Sequence, residues 1–190
     1  MRTFIAIELP KEIKEALASL QEGLKNSGAD VKWVQPENIH LTLKFLGEID
    51  EQVLAKIINI LEVAAENQNS FYLTLSSLGA FPNMNFPRVI WIGIKKGDSQ
   101  IQEVASKLEK EISGIGIPKE NRAFSSHITL GRVKSGLNRD KLSKKLNELA
   151  GNFLKEGSCA FPVKKITLFK STLTPQGPIY EILKEVPLKQ

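Results

Sequence analysis

Cysteine occurs once and histidine only twice in these 190 residues. One thiol excludes an internal disulfide and any cysteine-rich zinc site. Cys159 lies in "SCAFPV" among apolar neighbours and reads as a small core residue rather than a nucleophile. No apolar run is long enough to cross a membrane, since "VIWIGI" ends after six residues. The opening "MRTFIAIELPKEIKEAL" turns polar at Glu8, too early for a signal peptide, so the sequence points to the cytoplasm. A glycine-rich phosphate loop is also missing, which argues against the use of nucleoside triphosphates.

What is present fits a soluble globular protein: 42% hydrophobic and 25% charged residues, in a chain long enough to bury a core as one large domain or two small lobes. The net charge of +5 suits an anionic partner. Its distribution is uneven. Six basic residues (Arg132, Lys134, Arg139, Lys141, Lys144, Lys145) and one acid, Asp140, fall between Arg132 and Lys145. On composition that segment is either a solvated helix face or a rim that attracts phosphate.

Hydrophobic periodicity gives a coarse map. "TFIAIEL" alternates as a strand, and Lys11 to Lys25 carries apolar residues at helical spacing behind Pro10. Strands follow at Val31 to Val34 and Ile39 to Leu46, then a helix capped by Asp50. "SFYLTLSSLGAF" and "RVIWIGIKK" read as strands joined through "PNMNFP". Asp98 opens a third helix, "SHITLGRV" is another strand, and Asn138 starts a fourth helix. The tail alternates through "VKKITLFKSTL" and ends in a strand after Gly177-Pro178.

Overlaying the halves reveals a repeat. His40 and His127 are 87 residues apart, and the same offset carries Phe4-Ile5-Ala6-Ile7 onto Trp91-Ile92-Gly93-Ile94 and the first two helices onto the last two. Each half reads strand, helix, histidine-bearing strand, helix. The expectation is an α+β, bilobal duplicated fold, with two antiparallel sheets lining a central groove and helices outside. Residues 1–190 would form a single domain with a pseudo-two-fold internal repeat.

Both histidines open the same frame, "HLTL" at 40–43 and "HITL" at 127–130. Residues two apart on a strand share a face. That alternation places His40, Thr42 and Lys44 on one face, with Leu41, Leu43 and Phe45 on the other. It aligns His127 with Thr129, puts Gly131 on the same polar face, and leaves the direction of Arg132 open. Related by a two-fold axis, the two polar faces would line one groove. Two imidazoles there, with ordinary pKa values of about 6.5, suit acid–base work: one neutral to accept a proton, one charged to give one. The threonine hydroxyls would donate to the oxygens of a phosphoryl group. A metal site fits less well. Zinc takes three or four ligands, no acid or cysteine shares a face with either histidine, and Glu48 and Asp50 have no counterparts after the second tetrad. Ser125 and Ser126 precede His127 without a pattern that would activate a nucleophile.

These paired tetrads resemble the two-histidine phosphoesterase superfamily. The likeness extends over "MRTFIAIELP", "KWVQPENIHLTLKFLGEI", "FPNMNFPRVIWIGI", "AFSSHITLGRVKS" and "STLTPQGPIYEIL", and is similar to the RNA 2′,3′-cyclic phosphodiesterases, historically called 2′-5′ RNA ligases. The resemblance implies metal-independent hydrolysis of a terminal 2′,3′-cyclic phosphate to a 2′-phosphate, with no cofactor. It implies His40 as proton donor to the leaving 3′-oxygen, His127 as proton acceptor from water, and Thr42 and Thr129 on the phosphate. Sequence chemistry alone leaves the two histidine roles interchangeable. Lys44 and Arg132 are candidate phosphate contacts, and Tyr180 and Trp33 candidate base stackers, whereas Phe45 is expected on the core face. The expected partner is RNA with a cyclic phosphate end, tRNA fragments included, with no membrane partner and a monomeric protein. Joining tRNA halves as a 2′-5′ RNA ligase and non-catalytic RNA binding are the alternatives.

Overall fold

The computed structural model describes residues 1–153 and 159–190. Period-two alternation builds the strands β1 (Arg2–Glu8), β2 (Val31–Trp33), β3 (His40–Glu48), β4 (Phe71–Phe81), β5 (Val89–Lys96), β6 (His127–Val133), β7 (Ala160–Val163), β8 (Lys165–Thr174) and β9 (Gly177–Pro187). Helical spacing builds α1 (Lys11–Lys25), α2 (Glu51–Glu66), α3 (Asp98–Gly114) and α4 (Arg139–Phe153). The Asp50 carboxylate caps α2 by accepting the Val53 N–H at 2.8 Å. Asp98 is the first residue inside α3, and its carboxylate accepts the Ser126 hydroxyl instead. No helix among the described residues is long and apolar enough to cross a membrane.

Among the described residues the strands form one continuous antiparallel sheet in the order β7-β4-β5-β6-β3-β1-β8-β9, with β2 added to β6. The order reads the same outward from its centre: β6 against β3, β5 against β1, β4 against β8, β7 against β9. The two expected sheets are the two halves of this path, and they meet at a single ladder pair, Leu41↔Ile128. These are equivalent positions of the two tetrads, so the local two-fold passes between them. All four helices lie on one face, where α1 packs on α4 and α2 on α3. Leu41, Leu43, Ile128 and Leu130 join that helix-side core and are at most 4% exposed. The opposite face is the groove.

One part of the repeat is registered differently from the sequence overlay. The offset of 87 holds for β3 and β6, but Ala6 pairs with Thr42 while Trp91, not Gly93, pairs with Thr129. Strands β1 and β5 therefore correspond at an offset two residues shorter. A slip of two leaves every side chain on its original face, so alternation cannot detect it.

Candidate active site

Extending the Leu41↔Ile128 pair by one residue each way sets His40 opposite Thr129 and Thr42 opposite His127. Leu41 and Ile128 point into the helix-side core, so these four side chains share the groove face. The two histidines are diagonal neighbours, a relation that puts Cβ atoms about 7–8 Å apart. That separation leaves room for one tetrahedral phosphate between the rings.

Each ring is tethered alike. His40 Nδ1–H donates to the Asn38 carbonyl at 2.6 Å, and His127 Nδ1–H donates to the Ser125 carbonyl at 2.7 Å. The bond consumes Nδ1 and leaves Nε2 to handle protons. In the present arrangement the Thr42 hydroxyl donates to His40 Nε2 at 2.9 Å. The surroundings then diverge. Burial pulls the His40 pKa below its usual value; the Asn38 carbonyl opposes that, and the Lys14 charge adds to it. Tyr180, from the β8–β9 hairpin, stands edge-on to His40 at 5.5 Å between centroids, and Phe4 tilts against it at 4.8 Å. Phe81 stands edge-on to His127 at 5.4 Å. Burial pushes the Tyr180 phenol up, against the pull of the nearby Arg2 and Arg132 charges.

The sequence reading of Lys44 requires correction. Simple alternation put it beside His40, but β3 carries a bulge after Thr42: Ala6 faces Thr42, Ile5 faces Lys44, and Leu43 is skipped. Lys44 is thereby turned to the helix side, where it is 2% exposed. Its ammonium pairs with Glu109 of α3 at 2.8 Å and reaches the Pro118 carbonyl at 3.4 Å. These contacts hold the Glu109 carboxyl below its usual pKa despite partial burial, which acts the other way. The same bulge turns Phe45 out to the groove, 56% exposed, rather than into the core.

β6 repeats the device. Trp91 faces Thr129, Ile90 faces Gly131, and Leu130 is skipped. Gly131 therefore also leaves the polar face, and a Cβ there would lie 2.8 Å from Val31 Cγ1 and 2.9 Å from Trp33 Cε3. Trp33 packs over that glycine against the core, away from the groove. Arg132, the counterpart of Phe45, emerges exposed on the groove face. So the structure groups His40, His127, Thr42, Thr129, Arg132 and Tyr180 along one face, and removes Lys44 and Trp33.

Two contributors escaped the sequence reading. The Asn38 side chain donates to the Pro178 carbonyl at 2.8 Å, tying the β8–β9 hairpin to the residue that holds His40. Gln21 is buried on α1 and donates to the carbonyls of Val34 and of Leu130, the bulge residue, at 2.8 and 2.9 Å. The signal for Gln21 was a polar residue on the apolar stripe of a helix. Among the described residues no three His, Cys, Asp or Glu side chains are placed to hold a metal.

The sequence model of the LigT-like phosphoesterases matches the chain twice in tandem, over residues 7–91 and 92–180. The chain belongs to this family. A curated relative from Methanocaldococcus jannaschii, named RNA 2′,3′-cyclic phosphodiesterase, is 41% identical over 97% of this chain and 99% of its own length. Among solved structures, one from Thermus thermophilus superposes with a TM-score of 0.82 at 28% identity, covering 100% of this chain and 98% of that one. E. coli LigT complexed with 3′-AMP superposes with a TM-score of 0.76 at 26% identity, with the same coverage. This LigT-like chain is thus an enzyme of the phosphoesterase class with the α+β fold of its family.

Proposed function

We propose that this LigT-like protein hydrolyses terminal 2′,3′-cyclic phosphates of RNA to 2′-phosphomonoesters, using its two histidines and no metal. The observation that carries the reading is the Leu41↔Ile128 pair, which sets both tetrads side by side on one face. The name of the M. jannaschii relative supports the RNA substrate.

In the proposed reaction His127 Nε2 takes a proton from water as its oxygen attacks phosphorus. The bond from phosphorus to the 3′-oxygen breaks on the far side, and His40 Nε2 gives that oxygen a proton. The 2′-ester stays intact. Each transfer contributes roughly 10²–10⁴ in rate. Free His40 is biased toward its neutral form by burial. A dianionic transition state between the rings reverses that bias by favouring the charged imidazole. Once His40 is protonated, the Thr42 hydroxyl can no longer donate to Nε2 and is released to donate to a phosphoryl oxygen. Thr129, opposite His40, supplies the matching donor.

The test is an oligonucleotide with a 2′,3′-cyclic phosphate end, incubated in EDTA with wild type, His40→Ala and His127→Ala. Wild type should open the ring despite the chelator, and each variant should lose at least ~10² in rate. Loss of wild-type activity in EDTA would refute metal independence, and full activity in either variant would refute the proton relay. Offering pre-tRNA halves in parallel separates hydrolysis from joining.

A further inference from the structure

We propose that Lys32 and Arg132 form a second phosphate subsite, which takes the internucleotide phosphate on the 5′ side of the terminal nucleotide. The proposal rests on the reading of the site as an RNA-end phosphodiesterase and specifies how much of the RNA it grips.

Lys32 lies directly opposite Arg132 in the β2–β6 ladder. Both side chains face the groove: their neighbours Val31 and Trp33 close over the far face of Gly131, which fixes Lys32 on the other side. Both residues are exposed. Among the described residues neither has a carboxylate within ion-pair distance, whereas most other lysines near the groove do, including Lys14, Lys165 and Lys170. Like charges set directly opposite on one face of a sheet are destabilising. An anion seated between them removes the repulsion.

Their place along the groove identifies that anion. Because β3 and β6 run antiparallel through Leu41 and Ile128, the chain beyond Thr129 runs past His40 and away from His127. The proposed leaving 3′-oxygen is on the His40 side, so the ribose lies there too. The RNA continues from the 5′-oxygen of that ribose, and its next charged group is the internucleotide phosphate. Arg2 and Arg132 both lie close enough to Tyr180 to act on its phenol, so positive charge is concentrated at this end of the groove.

The experiment compares a nucleoside 2′,3′-cyclic phosphate with a dinucleotide ending in the same cyclic nucleotide, on wild type, Lys32→Gln and Lys32→Arg. Wild type should prefer the dinucleotide through KM. In K32Q the ratio of the two kcat/KM values should fall by about 3- to 10-fold, with K32R restoring most of it. The slope of log KM against log[salt] for the dinucleotide should shrink by about 0.7, the value for one phosphate contact on a single strand. The thermal midpoint of K32Q should not fall, since a like-charge pair is relieved; a purely structural lysine would lower it. Equal loss on both substrates, or an unchanged ratio, overturns the subsite. Titration with the 2′-phosphorylated dinucleotide product provides an independent readout: weaker binding by K32Q supports the subsite and equal binding overturns it. Absence of turnover on both substrates would instead count against the catalytic reading, with the subsite still judged by that titration.

Discussion

Lys44 sits in the first tetrad's strand yet works on the opposite face, and the consequence can be measured as an asymmetry. Its ammonium is enclosed, with a side chain 1% exposed, while its partner Glu109 keeps 28% exposure. Removing one partner of a buried pair costs about 3–5 kcal/mol when the other is left without compensation. Glu109→Gln strands the enclosed cation and should approach that loss, or about 6–20 °C in thermal midpoint for a chain of this size. Lys44→Met removes the enclosed charge, fills its space, and leaves a carboxylate that can turn to water and still accept the Glu120 N–H, a bond of 2.9 Å. That exchange should cost less than about 1.5 kcal/mol. The sign with pH follows from the lowered Glu109 pKa. Its stabilising contribution is present above the unfolded carboxyl pKa and is lost as pH falls through the folded one, so the gap between wild type and E109Q should close in acid. Urea unfolding followed by tryptophan fluorescence reads all three proteins. Phosphodiesterase assays on K44M complete the test: KM within about 2-fold of wild type is expected. A stable K44M with a KM raised tenfold or more would show that Lys44 reaches substrate and would refute its placement.

Further outcomes bear on the histidines. Lys14→Gln removes the charge that helps to depress the His40 pKa, so the His40 resonance should titrate at higher pH, and kcat/KM above about pH 6.5 should rise if His40 is the proton donor; a fall there would exchange donor and acceptor. The neutral His40 of the folded state also adds stability above its unfolded pKa, and this is lost as pH falls through the lower folded value. Asn38→Ala frees the β8–β9 hairpin from the His40 tether. It should cost about 0.5–1.5 kcal/mol in stability, bring the His40 titration back toward the ordinary value and lower kcat more than it raises KM. An unshifted His40 titration would reduce Asn38 to a packing role.

Much of this was legible in the sequence, for reasons that also mark the limit. Helices α1 to α4 announced themselves through period, and the histidine strands through a shared tetrad whose polar face had no place in an ordinary core. The face of Lys44 and Phe45 was not legible, because a bulge leaves no mark in an alternating pattern: Leu43 and Lys44 are adjacent and both buried, and only the β1 partner shows which residue was skipped. The two-residue slip between β1 and β5 was hidden by parity. The Asn38–Pro178 bond joins residues 140 positions apart and depends on where a hairpin curls, which no local signal encodes.

A duplicated scaffold with two equivalent histidines would be indifferent to which end of the phosphate leaves. The structure breaks that indifference at equivalent positions just outside the tetrads. After the bulge the first half turns Lys44 inward onto Glu109, while the second has Gly131, whose missing side chain lets Trp33 close and carries β2 onto β6. Because β2 is docked there, Lys32 is placed beside Arg132 at the His40 end. At the opposite end the counterpart of Arg132 is Phe45, which carries no charge. Tyr180 adds a cover over His40 that is itself held by Asn38. Cations and cover thus accumulate on one side of a symmetric pair. A polyanionic chain entering this groove is drawn to the His40 end, and the open His127 end is left to water. If the proposed roles hold, substrate polarity is set by these flanking residues and not by the tetrads, so exchanging the flanks should alter orientation while leaving the two imidazoles in place.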